Sequence, residues 1–165
     1  MRFNALYLPA LVAIQSLITA ASPLESGQGC AVLTPGQYTI SLAETGWKLR
    51  PFHRSHSPPA ITNLEEEPVG LSGVWSITPA PQSAYYITNA ADNAPVLTLV
   101  FGGVLQPYTS WGESPVAFAI QCAGGGTYII KNPVADEVWT AEPGAWVKIF
   151  GANGDISQRF VFTAV

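Results

Sequence analysis

The stretch "VWSITPAPQSAYYI" (residues 74–87) contains two short apolar runs separated by a Pro-Ala-Pro-Gln turn. Trp75 and Ile77 share one face of the first run, and Tyr85 and Ile87 share one face of the second. Alternation with a period of two residues is typical of strands that bury one face. Two such runs joined by a short turn predict a β-hairpin.

The same pattern recurs along the chain. In "AFAIQCAGGGTYII" (residues 117–130), an aromatic residue again precedes a tyrosine by ten residues. The segments "GQYTI" (36–40) and "RFVFTAV" (159–165) match the second and the first half of this pattern. The tyrosines are spaced by 47 and 43 residues and the partner aromatics by 43 and 42; they are Tyr38, Tyr85 and Tyr128, and Trp75, Phe118 and Phe160. A period in this range indicates a repeat architecture.

Between these hairpins lie further short strand candidates, and no helical pattern of ten residues occurs after the first 21 residues. The candidates are "WKL" (47–49), "AITNL" (60–64), "VLTLVF" (96–101), "VWT" (138–140) and "WVKIF" (146–150). Three units of about four strands predict an all-β fold, the β-trefoil, in which six strands close a barrel and three hairpins cap it. The aromatic residues would form its layered core. Alternation alone also fits a β-sandwich.

One segment stands apart from this pattern. "GWKLRPFHRSHSPPA" (46–60) holds three of the seven basic residues and both histidines of a chain with a net charge of −4. Tyr38 and Trp75 are 37 residues apart, whereas the corresponding pairs in the other units are 33 and 32 residues apart. We therefore interpret the segment around residues 50–59 as an insertion on a rigid barrel.

Composition and the cysteines bound the location and the partners. Of the 165 residues only 11% are charged, and the acidic balance excludes the basic face that nucleic-acid binding needs. The apolar run that follows Arg2 predicts a signal peptide over residues 1–21, a single secreted, extracellular domain over residues 22–165, and no membrane association after cleavage. In that compartment Cys30 and Cys122 are expected to form a disulfide, although two buried thiols are the alternative.

Together these segments resemble a known family, the fungal β-trefoil serine-protease inhibitors of mushrooms, which are related in fold to the mycocypins. The matching motifs are "GQYTI", "VWSI…YYIT", "FAIQ…YIIKNP", "EVWTAE" and "RFVFTAV", which span nearly all of residues 22–165. The resemblance implies a peptidase inhibitor whose loops cover a protease active site. It differs from that family in its leader and its cysteine pair. The expected partner is a serine or a cysteine peptidase, bound by a monomer.

The basic segment has the chemistry of an inhibitory loop. Pro51, Pro58 and Pro59 stiffen it, so that little conformational entropy is lost on docking. Arg54 is the expected anchor for an acidic specificity pocket, and Arg54–Ser55 is the nominated reactive bond. Arg50 is a poorer anchor because a proline follows it. The predicted inhibitory residues are therefore Arg54, Ser55, Arg50, His53 and His56; the bland alternative is a solvated surface loop.

Other functions find less support in the sequence. His53 and His56 make an incomplete ligand set even with the acidic residues 65–67, so neither a metal site nor a cofactor is expected. No catalytic motif occurs, and an enzyme is the least expected class. The main alternative is a carbohydrate-binding module of the ricin type, with Trp111 and Trp146 as aromatic platforms and "SQRFVF" (157–162) as a partial sugar-binding element.

Overall fold

A computed structural model describes residues 29–54 and 57–165. The predicted leader, residues 1–21, lies outside these residues, as do Ser55 and His56. The described strands are β1 (Gly36–Leu42), β2 (Leu49–Arg54), β3 (Ser57–Asn63), β4 (Val74–Ala80), β5 (Ala84–Asn89), β6 (Ala94–Phe101), β7 (Val104–Thr109), β8 (Ala117–Gly124), β9 (Thr127–Lys131), β10 (Glu137–Thr140), β11 (Lys148–Gly151) and β12 (Phe160–Ala164). Two short 3₁₀ turns complete the regular structure of this part of the chain, and no helix within it is long and apolar enough to span a membrane.

Six of the strands close a barrel. Each pairs in antiparallel fashion with the next in the order β1, β4, β5, β8, β9, β12, and β12 pairs again with β1. Closure satisfies the backbone groups that open sheet edges would expose. The all-β prediction is confirmed, and the β-sandwich alternative is excluded because two separate sheets cannot produce this ring.

The two hairpins predicted from the aromatic repeats are β4–β5 and β8–β9. Their registers place Ile77 opposite Ile87 and Ile120 opposite Ile130. The recurring aromatics also pair across neighbouring barrel strands: Tyr38 lies opposite Trp75, Tyr85 opposite Phe118, and Tyr128 opposite Phe160. These cross-strand pairs explain why the same residue types recur at nearly constant spacing.

The core lies inside the barrel and beneath three further hairpins. All three partner aromatics (Trp75, Phe118 and Phe160) are buried, as are Tyr38 and Tyr128, whereas Tyr85 is half-buried. Trp139 from β10 packs edge-on against Phe118, with ring centroids 5.3 Å apart. The barrel and its cap therefore share one hydrophobic core.

The three cap hairpins follow β1, β5 and β9 in chain order. They are β2–β3, β6–β7 and β10–β11. Neighbouring hairpins touch, since Ala60 of β3 lies opposite Tyr108 of β7 and Thr62 bridges to Trp146. The tight turn of β6–β7 uses Gly102 and Gly103, both with positive φ, as a two-residue hairpin connection favours.

The interpretation of residues 50–59 as an insertion is wrong. The β2–β3 hairpin extends over 15 residues, and the other two cap hairpins extend over 16 and 15. The extra length of the first unit lies instead in the connection from β3 to β4, residues 64–73. This connection has ten residues, compared with seven in 110–116 and eight in 152–159. The prolines suggested a loop, but an outer strand and a bulge accommodate them.

The predicted disulfide between Cys30 and Cys122 is present, with the two Cα atoms 5.7 Å apart. It joins the segment before β1 to the β8–β9 hairpin across 92 residues of sequence. The alternative of two buried thiols is therefore excluded.

Candidate functional site

The basic segment forms the β2–β3 hairpin. β2 is the outermost strand on this side of the sheet, because it follows β3 at the end of the strand order. Pro51 is tolerated there, since an edge strand has backbone positions that donate to no neighbour. Between the pairs Phe52–Ala60 and Arg54–Ser57, one residue of β2 faces two residues of β3. The extra residue comes from Pro58–Pro59, so these two prolines form a β-bulge.

The base of the hairpin is fixed by ion pairs to the long connection 64–73. A guanidinium nitrogen of Arg50 lies 3.2 Å from Glu66 Oε2, and the Lys48 ammonium pairs with Glu67. The Arg50 side chain is only 15% exposed, whereas its partner is mostly in solvent. The predicted pairing of the acidic run with Arg50 is confirmed. Arg50 is therefore occupied at the base of the hairpin.

The outer half of the hairpin is held by the turn that precedes β6. His53 Nε2 lies 3.6 Å from Asp92 Oδ2. The backbone carbonyl of Asp92 accepts a 2.9 Å hydrogen bond from the indole nitrogen of Trp111. Sequence reasoning missed Asp92, because only closure of the sheet brings residues 90–93 next to β2, and no local motif marks that contact.

Arg54, the predicted anchor, is the last residue of β2 and lies opposite Ser57, the first residue of β3. The predicted leaving-side residue Ser55 and the predicted contact residue His56 are the two residues between these strands and lie outside the described residues. The register shows that a connection of two residues joins Arg54 to Ser57. The nominated Arg54–Ser55 bond is therefore at the tip of the hairpin.

An open groove of about 480 Å³ runs beside the hairpin. Arg50 and Phe52 of β2 form one wall, and the start of the connection 64–73 forms the other. Trp47 and Gly144 complete its lining. One side of β2 is therefore open to a partner.

The groups considered as metal ligands have other partners. Glu66 and Glu67 pair with basic side chains, and His53 faces Asp92. Among the described residues, no group of three His, Cys, Asp or Glu side chains could hold a metal ion. His56 is outside these residues.

The predicted sugar-binding aromatics differ in exposure. Trp111 is 60% exposed and its indole N–H is already fixed by Asp92. Trp146 is half-buried and packs against Phe101, with ring centroids 6.4 Å apart. Gln158 is buried, and its side-chain amide bonds to Thr140 and to backbone groups. Of these three residues, Trp111 alone presents an open aromatic surface.

One ionisable side chain beside the hairpin is perturbed. Burial raises the pKa of the Tyr108 phenol, and the negative charge of Glu113 raises it further. The phenol donates a 3.3 Å hydrogen bond to Glu113 Oε2, and Ser110 donates to the other carboxylate oxygen. Tyr108 therefore stays a neutral donor that orders residues 110–113 next to Trp111.

Comparison with solved structures identifies proteins of similar shape. The Rhizoctonia solani agglutinin is 17% identical, with a TM-score of 0.69, over 83% of this chain and 100% of its own. A proteinase inhibitor from Coprinopsis cinerea is 21% identical, with a TM-score of 0.63, over 81% of this chain and 100% of its own. The ricin B-like lectin of Macrolepiota procera, solved with lactose, is 12% identical, with a TM-score of 0.64, over 82% of this chain and 99% of its own.

The chain shares the fold of these β-trefoil proteins. At this level of identity the likeness extends to the fold alone, which both an inhibitor and lectins use. No protein-family model matches the sequence, and no curated protein matches it. Function must therefore be argued from the hairpin and its surroundings.

Proposed function

We propose that the protein is a secreted, non-enzymatic inhibitor of a serine endopeptidase that binds through the β2–β3 hairpin. The observation that carries the proposal is a basic hairpin mounted on a closed barrel and tied at its base to residues 64–73 and in its outer half to Asp92. A hairpin held in this way loses little conformational entropy on docking. The inhibitor from Coprinopsis cinerea uses the same fold.

Within this proposal Arg54 anchors the complex. Arg50 is engaged with Glu66 and is followed by a proline, so it is the poorer anchor. Arg54 ends β2 at the tip, where a long cation can enter an acidic specificity pocket. Ser55 then lies on the leaving side of the reactive bond, and His53 and His56 flank the contact. Pro58 and Pro59 hold the bulge that shapes the tip.

The wider arrangement supports a secreted module. We propose that residues 1–21 are removed as a leader and that residues 22–165 form one β-trefoil domain of three related units. Each unit would contribute one tyrosine–aromatic pair to the barrel. The disulfide is suited to an extracellular, oxidising location. The resemblance of the sequence motifs to fungal inhibitors points in the same direction.

The test is trypsin inhibition by residues 22–165 and by an Arg54→Ala variant. We expect tight inhibition by the parent and at least a hundredfold weaker inhibition by the variant, because the pocket loses its cationic anchor. Arg159→Ala, which removes a cation from the connection before β12, is the matched control and should inhibit like the parent. Papain is assayed in parallel. Failure to inhibit either enzyme would contradict the inhibitor proposal.

A second candidate function, carbohydrate binding, rests on Trp111. Its exposed indole ring is fixed in orientation by the Asp92 carbonyl and lies in a segment ordered by Glu113. A rigid aromatic surface beside carboxylates suits a sugar ring. A glycan array with the parent and Trp111→Ala tests this candidate. Signals that disappear in the variant favour it, and equal signals from both proteins exclude Trp111 as the platform.

A further inference from the structure

The end of the barrel remote from the cap carries three tyrosine hydroxyl groups. Tyr38, Tyr85 and Tyr128 each lie near the start of β1, β5 and β9, whose other ends lead into the cap hairpins. Each occupies the strand position that pairs with a buried aromatic residue. The three phenols therefore surround the open end of the barrel, and each hydroxyl group has a proton to donate.

All three hydroxyl groups donate to one short segment of the same chain. The Tyr128 hydroxyl donates to the carbonyl of Ala31 at 2.6 Å, and the Tyr38 hydroxyl to that of Thr34 at 2.7 Å. The Tyr85 hydroxyl donates to the carbonyl of Leu33 at 3.1 Å. Because the acceptors are backbone carbonyls, this recognition depends little on side-chain identity.

One side chain of this segment enters the barrel. Leu33 is 9% exposed and belongs to the same core cluster as Tyr38 and Trp75. Its neighbours Val32 and Thr34 are exposed. The segment therefore has the form of a bound peptide: one apolar anchor in a pocket and main-chain carbonyls held by a ring of donors.

The segment is also held by a covalent bond that does not belong to the barrel. Cys30 is joined to Cys122 of β8, whereas the barrel closes through six strands that begin after residue 35. Every strand-to-strand pairing of the ring is made without residues 30–35. Release of the segment would leave the ring of strands intact.

We propose that the open end of the barrel is a binding site for an extended peptide with an apolar anchor residue, and that residues 31–34 are its resident ligand. The disulfide keeps this ligand at a high effective concentration and so closes the site to other peptides. A dithiol reductant opens it: two electrons and two protons convert the disulfide to two thiols, and the dithiol leaves as its own disulfide. The site is at the opposite end of the barrel from the β2–β3 hairpin, so the inference does not depend on inhibition.

The test measures binding of a fluorescein-labelled peptide with the sequence of residues 29–37, in which serine replaces the cysteine. The host is the full chain carrying Leu33→Ala, reduced with dithiothreitol, because its own segment is then a poor competitor. We expect a saturable rise in anisotropy with this host and none with the oxidised parent. A peptide carrying the same Leu33→Ala change should bind at least tenfold more weakly, and a Tyr85→Phe change in the host should weaken binding of the parent peptide.

A second measurement needs no variant and covers the case in which the altered host does not fold. On reduction of the parent protein, fluorescence of the apolar dye 1-anilinonaphthalene-8-sulfonate should rise while the near-ultraviolet circular dichroism persists. Three results overturn the proposal: no saturable peptide binding to a folded reduced host, equal binding to the oxidised parent, or loss of the near-ultraviolet signal on reduction. The last overturns it because the site must remain when its resident segment leaves.

Discussion

Two buried tryptophans differ in one hydrogen bond. The Trp75 indole nitrogen donates to the Leu49 carbonyl at 3.1 Å, whereas the Trp139 indole nitrogen has no partner among the described residues. Both side chains are buried in the core. Changing either residue to phenylalanine removes a similar volume, but Trp75→Phe also removes a hydrogen bond and Trp139→Phe removes an unsatisfied donor. We expect Trp75→Phe to destabilise the protein by about 1–3 kcal/mol more than Trp139→Phe.

Urea unfolding of the two variants beside the parent measures this difference. Equal slopes of free energy against urea concentration are needed for the comparison, because they show that both variants unfold the same surface. If Trp139→Phe proves the more destabilising change, packing against Phe118 outweighs the unsatisfied donor and the prediction is wrong.

Asp155 links a single carboxylate to the acid sensitivity of the fold. Its side chain accepts a 2.9 Å hydrogen bond from the Ser157 backbone N–H at the start of a 3₁₀ turn, and this bond lowers its pKa below the ordinary value of 3.8. Because the folded-state pKa is depressed, the contribution to stability is present above the unfolded-state pKa and is lost as pH falls through the folded-state pKa.

We therefore expect Asp155→Asn to flatten the fall in stability below about pH 4. The asparagine oxygen still accepts the bond from Ser157, so the turn should persist and the change isolates the titration. Urea midpoints at several acidic pH values measure the effect. Parallel curves for parent and variant over the whole range would contradict it.

At the scale of elements, the β2–β3 hairpin depends on its contacts with residues 64–73. Glu66 pairs with Arg50, whereas Glu65, its neighbour, makes no ion pair in the described part of the chain. Exposed ion pairs contribute at most about 1 kcal/mol. We expect Glu66→Gln to lower stability by less than about 1 kcal/mol, and Glu65→Gln to leave it unchanged. Thermal unfolding of both variants checks this, since they carry the same change in net charge.

Salt provides the control for that comparison. At about 1 M salt the screening length falls to roughly 3 Å, so the difference between the two glutamate variants should shrink. A difference that persists would indicate that Glu66 acts through packing or hydrogen bonding to Arg50 rather than through charge.

The sequence predicted the barrel hairpins well because their signal is local. Trp75, Tyr85, Phe118 and Tyr128 carry the alternation of buried strands, and their even spacing follows from the cross-strand pairs that they form. The cap hairpin containing Pro51 was misread because proline usually marks a loop. Whether a strand is an edge strand, and so tolerates proline, is decided by which strands become its neighbours.

The contacts of the candidate site were beyond sequence reasoning for a related reason. His53 meets Asp92, 39 positions later, only after β3 has docked beside β7. The tyrosine repeat was recognised as core, but its hydroxyl groups gave no indication of their acceptors. Those acceptors lie in residues 31–34, a segment with no strand pattern whose position depends on the closed barrel.

At the scale of the whole molecule, the disulfide connects segments that no strand pairing joins directly. Cys30 and Cys122 are separated by 92 residues, so the bond restricts a long loop in the unfolded chain. The chain-entropy treatment gives about 4–5 kcal/mol for a loop of this length. We expect the double variant Cys30→Ser, Cys122→Ser to unfold at a lower urea concentration by an amount equivalent to about 2–5 kcal/mol, with the same cooperativity as the parent.

Dithiothreitol separates the effect of the bond from that of the substitutions. The reductant should lower the urea midpoint of the parent to near that of the double variant and leave the variant unchanged. The ring of six strands needs neither cysteine, so a single cooperative transition should remain in both proteins. If reduction instead left the midpoint unchanged, the unfolded chain would retain enough structure to make the bond energetically neutral. If it produced two transitions, the barrel would depend on residues 30–35 more directly than its strand pairing indicates.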